Sequence, residues 1–207
     1  MSGTENPPGE SGVVVVPATP ERWSDVVTLL GGSADRGCWC QSWRGSSSPI
    51  GRGEPDRNRR LLRSQVDDET FAPGVVAYAD GQPVGWCGLG PREAMPRLSG
   101  SRTIPRVDDR PVWSIGCFVV RPGHRRRGVT RSLLAGAVAY ARSCGATCIE
   151  GYPIDPHGTR VSTAFGYVGF ASTFEAAGFR RVRITDAHSA RLPRWLMRLE
   201  LGPPSPA

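Results

Sequence analysis

Apolar positions along this chain change period several times, and each change marks an element. Residues 112–120, Val-Trp-Ser-Ile-Gly-Cys-Phe-Val-Val, form an almost unbroken apolar, β-prone run, the pattern of a strand buried on both faces. Arg121-Pro122-Gly123 stops it, because proline cannot continue the ladder and glycine opens a turn. A helical period follows: Val129, Leu133, Leu134, Ala137, Val138 and Ala141 share one face. Residues 147–152 read as the next strand. A strand, helix and strand of this length make a crossover unit, with the helix N-terminus opening at the carboxyl end of the first strand.

The flanking pattern is mixed. Residues 13–16, four consecutive valines, predict a strand that Pro17 stops, and a helix from Pro20 to about Leu30 follows, capped by Thr19. Trp23, Val26, Val27 and Leu30 make its apolar stripe. Residues 55–66 predict an arginine-rich helix with a solvated face. Two β-prone runs, 74–79 and 83–89, flank Asp80-Gly81, the strongest hairpin signal in the chain. Near the C-terminus, residues 174–179 read as a helix end capped by Gly178, followed by strands at 180–185 and 194–201. Antiparallel hairpins combined with a parallel crossover imply an α/β (α+β) fold on a mixed sheet. Three long links, 31–55, 91–110 and 153–170, join the elements. The polar residues 1–12 read as a disordered lead and 202–207 as a tail, leaving one domain over 13–201.

Composition narrows the chemistry. A chain of 207 residues suits one domain with a substantial core. It has neither an apolar run of membrane-spanning length nor a secretory signal, so a cytoplasmic location is expected and no membrane partner. All 26 basic residues are arginine, for a net charge of +7. Without lysine there is no Schiff-base or P-loop lysine, and no side-chain amine on which the protein could itself be acylated. The positive charge is dispersed among carboxylates except at 124–127 and 180–183, which suggests an anionic ligand. The six cysteines (Cys38, Cys40, Cys87, Cys117, Cys144 and Cys148) lack zinc spacing, and buried free thiols are expected. Trp39 and Trp43, in the 36–44 stretch of the first link, either pin that loop as a satellite hydrophobic cluster or line a substrate pocket; the two roles are compatible.

Chemistry concentrates after the central strand. The first-turn N–H groups of a helix and its dipole form an anion site, and Arg125, Arg126, Arg127 and Gly128 lie around it. Arg125-x-x-Gly128-x-Thr130 is neither a Walker loop nor a dinucleotide fingerprint. It resembles the pyrophosphate motif of the GNAT superfamily of acyl-CoA-dependent N-acyltransferases, R/Q-x-x-G-x-G/A, which also follows a Val-x-Pro strand end such as Val120-Arg121-Pro122. Phe174-Glu175-Ala176-Ala177-Gly178-Phe179 looks like that family's Tyr-Glu-x-x-Gly-Phe. The resemblance, running over about 13–201, implies a mostly antiparallel mixed sheet with one parallel, splayed strand pair, flanked by helices. It also implies acetyl-CoA as cosubstrate and no metal. The backbone at Phe118, Val119 and Val120 would pair with the pantetheine arm. The amides of Arg125, Arg126, Arg127, Gly128, Val129 and Thr130 would hold the pyrophosphate.

The proton-transfer groups depart from the family's pattern. Phe174 stands where many members have a tyrosine acid, Tyr167 where many have asparagine, and Ser114 where an acid sometimes lies. The candidates here are Glu150, at the inner end of the second central strand, as base, and Tyr167 as replacement acid. Trp39 and Trp43 are the candidate substrate contacts. The implied function is N-acetyl transfer from acetyl-CoA to a primary amine of a small molecule or peptide, by direct attack in a ternary complex. The alternative is a non-catalytic acyl-CoA-binding sensor or partner module. A nucleic-acid binder ranks last, because it leaves the strand–turn–helix context unexplained. Homodimerisation is left open.

Overall fold

The computed structural model describes residues 12–31, 37–45, 54–68, 70–158, 161 and 166–202. Residues 203–207 of the expected tail and 1–11 of the expected lead lie outside the described residues.

Among the described residues, seven strands form one sheet. β1 (Val13–Pro17), β2 (Gly74–Ala79), β3 (Gln82–Pro91) and β4 (Trp113–Val120) are successive antiparallel neighbours. β4 then pairs in parallel with β5 (Cys148–Gly151), which is followed across the sheet by β7 (Leu192–Glu200) and β6 (Arg180–Ser189), both antiparallel. The β2–β3 turn has Asp80 and Gly81 at φ 49° and 72°, the left-handed pair that a two-residue hairpin with the strands' own twist requires. The β4–β5 pairing is short: Trp113 faces Ile149 and Ser114 faces Glu150, and beyond them the strands part. A register shift at Gly88/Leu89 adds a bulge to β4's other edge just where the parting begins.

Helices cover both faces. α4 (Val129–Ser143) and α5 (Ala171–Ala176) pack on one, where Leu133, Leu134, Ala137 and Phe174 join Val75, Cys87 and Ile115 in the main core. α1 (Trp23–Leu30) and α2 (Pro55–Asp67) pack on the other, against Val76 and Trp86. Neighbouring strand residues thus enter opposite layers, as the two-residue period of a strand demands. A third cluster of Met95, Leu98, Ile104, Tyr152 and Leu196 includes the short α3 (Pro96–Ser99).

Several expectations need correction. Residues 20–22 form a separate 3-10 turn ahead of α1, and Thr19 accepts a hydrogen bond from the Arg22 guanidinium instead of capping the helix. α2 buries Leu62 and Val66, so its polar composition hides an apolar stripe. The link 91–110 is partly helical, and it buries Arg92. β6 extends four residues beyond Thr185, and β7 starts at Leu192. The cysteines are not uniformly buried free thiols either: Cys40 and Cys117 are joined as a disulfide, and Cys144 is exposed. The reason is topological, because the 37–45 segment crosses β4 and brings together sulfurs separated by 77 residues.

Candidate active site

The donor end is built from backbone. Arg121 N–H continues the ladder to Val84 O, and the chain then turns through 122–128 into α4. Gly128 has φ 79°, a left-handed conformation that a side chain would strain, and no atom lies within 4 Å of where its Cβ would be. Its carbonyl accepts from Arg131 and Ser132 N–H, closing the first turn. The N–H groups of Arg126, Arg127, Gly128, Val129 and Thr130 make no backbone hydrogen bond among the described residues. Arg125, Arg126 and Arg127 are exposed around them, and Arg125 Nε reaches back to Val120 O at 3.2 Å. Unspent donors at a positive helix end, ringed by guanidinium groups and open above a glycine, fit a pyrophosphate. Phe118, Val119 and Val120 lie beyond the last β4–β5 pair, so their β5-facing edge has no strand partner.

The opposite face of the parting is built from side chains. Glu150 and Ser114, paired in register, point away from the α4 layer, as does Tyr152. Glu150 is wholly buried. Its Oε2 accepts from Arg92 Nη1 at 3.0 Å and from the Tyr152 hydroxyl at 2.8 Å, and its Oε1 accepts from Arg198 Nε at 2.7 Å. Ser114 Oγ lies 2.9 Å from the Tyr152 hydroxyl. Arg92, also fully buried, donates through Nη2 to Leu98 O and Ile104 O, so one guanidinium ties β5 to the α3 region. Arg198 continues outward to Asp108. That hydrogen bond raises Arg198 and holds the Asp108 carboxyl below the usual aspartate range. Burial, with the neighbouring Glu150 charge, pushes the Tyr152 phenol up, which keeps it a donor. A buried charge survives in such a place only when paired and hydrogen-bonded, and this one has two cations and a phenol.

The 37–45 segment covers β3 and β4 on this face. Trp43 Cδ1 lies 3.4 Å from where a Cβ on Gly116 would be, so the ring rests on β4 where the strands part. Arg44 donates to Pro73 O and Leu89 O, and burial lowers it to about 10. Trp39 lies elsewhere. It stacks on Trp23 with ring centroids 6.1 Å apart, packs into the α1–α2 layer and lines a 520 Å³ cleft with Gly31, Pro55 and Arg59. Tyr167 is half-buried on the 3-10 turn Gly166–Val168, beside β4 and electrostatically coupled to Arg194. Phe174 is fully buried, with Phe118 and Phe179 edge-on to it and its ring against the Gly151 backbone, so only a glycine fits there. The structure therefore gathers Trp43, Glu150 and Tyr167 around the parting and sets Trp39 apart. Spacing alone does not reveal Arg92, Arg194, Arg198 or Asp108. The shared strand face of Glu150 and Tyr152 was the one available clue.

Comparison with known proteins agrees with this geometry. The sequence profile described as "Acetyltransferase (GNAT) family" matches residues 39–160. A search of curated proteins by sequence found no match. Among solved structures, the fold is similar to a histone acetyltransferase HPA2 and related acetyltransferase from Corynebacterium glutamicum (18% identity, 93% of this chain and 97% of that one, TM-score 0.54). It is similar to yncA, a putative acetyltransferase of Salmonella typhimurium determined with acetyl-CoA (15%, 95% and 99%, 0.54). A GCN5-related N-acetyltransferase from Kribbella flavida gives 18%, 93% and 99%, and 0.54. With the match spanning more than half of its length, from Trp39 through the open helix end and both central strands, this chain belongs to the GNAT acetyltransferase family, whose acyl donor is acetyl-CoA.

Proposed function

We propose that the protein is an N-acetyltransferase that moves the acetyl group of acetyl-CoA to a primary amine of a small molecule or peptide within a ternary complex. The observation that carries this reading is the parting of β4 and β5 directly before an open, arginine-ringed helix end. It offers strand edge to a pantetheine arm and amides to a pyrophosphate along one continuous path. Phe118, Val119 and Val120 take the arm, and residues 125–130 take the phosphates.

In the reaction the amine nitrogen attacks the thioester carbon, the C–S bond breaks, the nitrogen gives up a proton and the thiolate gains one. Free strand amides at the parting polarise the carbonyl. Phe174 has no proton to give, so Tyr167, which stands beside β4 on the acceptor face, is the proposed acid. Glu150 enters the proposal through its contacts. With both oxygens engaged and no exposed surface, it acts by holding Arg92, Arg198 and Tyr152 in place, and the amine's proton leaves through water.

The test is thiol release from acetyl-CoA with a panel of amines, alongside calorimetric binding of CoA. Acceptor-dependent release supports the reading. CoA binding with no release from any amine would instead favour an acyl-CoA-binding module. Tyr167→Phe is expected to lower kcat about 100-fold with CoA affinity kept, the lower end of the usual range for loss of a general acid. Glu150→Gln is expected to lower kcat by a similar factor at every pH. A loss confined to one limb of the pH profile would return Glu150 to the role of base.

A further inference from the structure

Arg194, at the start of β7, is 97% buried, and the charge it carries has no counter-ion among the described residues. Its guanidinium carbon lies 5.5 Å from the Trp43 ring centroid and 5.9 Å from that of Tyr152. Its Nε donates to Tyr152 O at 2.8 Å, and its Nη1 and Nη2 make no hydrogen bond among the described residues. The titratable groups that act on it are the phenols of Tyr167 and Tyr152, and burial lowers it. No carboxylate among the described residues pairs with it. Tyr152 hands its hydroxyl to Glu150, but Glu150 is balanced already: Arg92 and Arg198 stand against Glu150 and Asp108. Arg194 is a cation of that face with no ion pair among the described residues.

A guanidinium carries five donors in a fixed fork, and stacking on rings satisfies none of them. With one of the five engaged by Tyr152 O, the Nη1 and Nη2 donors are left for an acceptor from outside the described residues. The position is also rigidly held. Thr185 Oγ1 donates to Arg194 O at 2.8 Å, Arg194 bridges to Ile154, and Trp195 N–H bonds to Pro153 O. Trp43 connects the arginine to the chemistry, since the same ring rests on Gly116 where β4 and β5 part. A second donor lies on the same segment: Arg97, whose backbone N–H bonds to Trp43 O, has a buried Nη1 with no partner among the described residues.

We propose that Arg194 is the anchor for a carboxylate on the acceptor, so that the acceptor is a free amino acid or a close analogue whose α-amine lies near its carboxylate. The inference rests on the acetyltransferase reading and refines it by naming the substrate class. Trp43 and Tyr152 lie against the guanidinium and Tyr167 is near enough to act on its charge, and the Nη1 and Nη2 donors would take a planar anion in bidentate contact. A simple polyamine or an aminoglycoside, which brings only positive charge, would meet repulsion here.

The experiment uses matched sets: L-leucine, L-methionine and L-phenylalanine, the amine of each lacking the carboxylate, and the α-amide of each. Each is tested with the full chain for thiol release from acetyl-CoA and for calorimetric binding to the protein with CoA present. The amino acids are expected to bind at least tenfold more tightly than their amines and amides. Arg194→Gln should raise the amino-acid Kd and KM 10- to 100-fold and leave the amines within about twofold, the range that a charge-assisted hydrogen bond spans. Arg194→Lys, which keeps the charge, should recover part of the loss and shows whether the Gln variant is merely misfolded. Equal binding of acid, amine and amide overturns the proposal, as does an equal loss for all three in Arg194→Gln. Carboxylate-selective binding without thiol release would keep the anchor and remove the acetyltransferase. Thiol release without selectivity would do the reverse.

Discussion

The proposed donor site at the carboxyl end of β4 presents main-chain N–H groups supplied by consecutive residues up to Thr130. The proposed acceptor face of the same strand presents guanidinium groups drawn from Arg92 to Arg198, more than a hundred positions apart in the chain. The first site needs only a turn of the right hand and a helix behind it, and its arginines remain in water. The second is dry and holds its charges by mutual pairing. On that reading, affinity for the donor is expected to be decoupled from folding stability, whereas a change on the proposed acceptor face should be felt by the whole fold.

The sharpest way to break this contrast is Arg92→Met. It leaves Glu150 with one cation where it had two, and breaking a buried pair costs about 3–5 kcal/mol. Denaturant unfolding should reveal that loss, while Arg126→Gln, on the exposed donor loop, should stay within about 0.5 kcal/mol of wild type and weaken CoA binding. Equal stability losses from the two variants would erase the distinction. The disulfide between Cys40 and Cys117 comes next, since it fastens the acceptor-side segment to β4 across 77 residues. Reduction is expected to lower stability by about 4 kcal/mol on chain-entropy grounds. Thiol titration of the unreduced, denatured protein should count only the four remaining cysteines, Cys38, Cys87, Cys144 and Cys148.

Gly128→Ala sharpens the comparison from the donor side. A side chain at φ 79° costs about 1–2 kcal/mol, and the expected signature is a raised Kd for CoA with amino-acid binding unchanged. The smallest effect is expected from pH. Arg198 holds the folded-state Asp108 carboxyl below its ordinary 3.8. A depressed folded-state value stabilises the protein above the unfolded value, and this contribution is lost as pH falls through the lowered one. Thermal midpoints should decline below about pH 4, and Asp108→Asn should flatten part of that decline. An identical acid limb in the variant would show that the pair contributes nothing.

The same contrast explains what could be read from sequence. Strand, turn and helix at 112–143 are local, and each signal, from the valine-rich run to Pro122 and Gly128, acts on its near neighbours. Asp80-Gly81 and the Gly178 cap were legible for the same reason. The acceptor face was not legible, because nothing near Arg92 or Arg194 in sequence distinguishes them from 24 other arginines. Their burial follows from strand order, which sets β7 beside β5 and brings the 91–110 link over it. Trp39 and Trp43 illustrate the limit. Four positions apart in one loop, one enters the α1–α2 layer and the other lies on β4.

The brevity of the β4–β5 pairing has a mechanical consequence. Two residue pairs join a four-stranded leaf, β1 to β4, to a three-stranded leaf, β5 to β7. Each leaf is internally zipped by long antiparallel ladders. The seam is thus the weakest line across the sheet, spanned by the α4 crossover, by the Arg92 clasp on Glu150 and by the Ser114–Tyr152 hydrogen bond. A molecule lying in the gap would act as a strut between the leaves. Force applied across the sheet should then open this seam before any ladder yields, and at a higher load when CoA is in place.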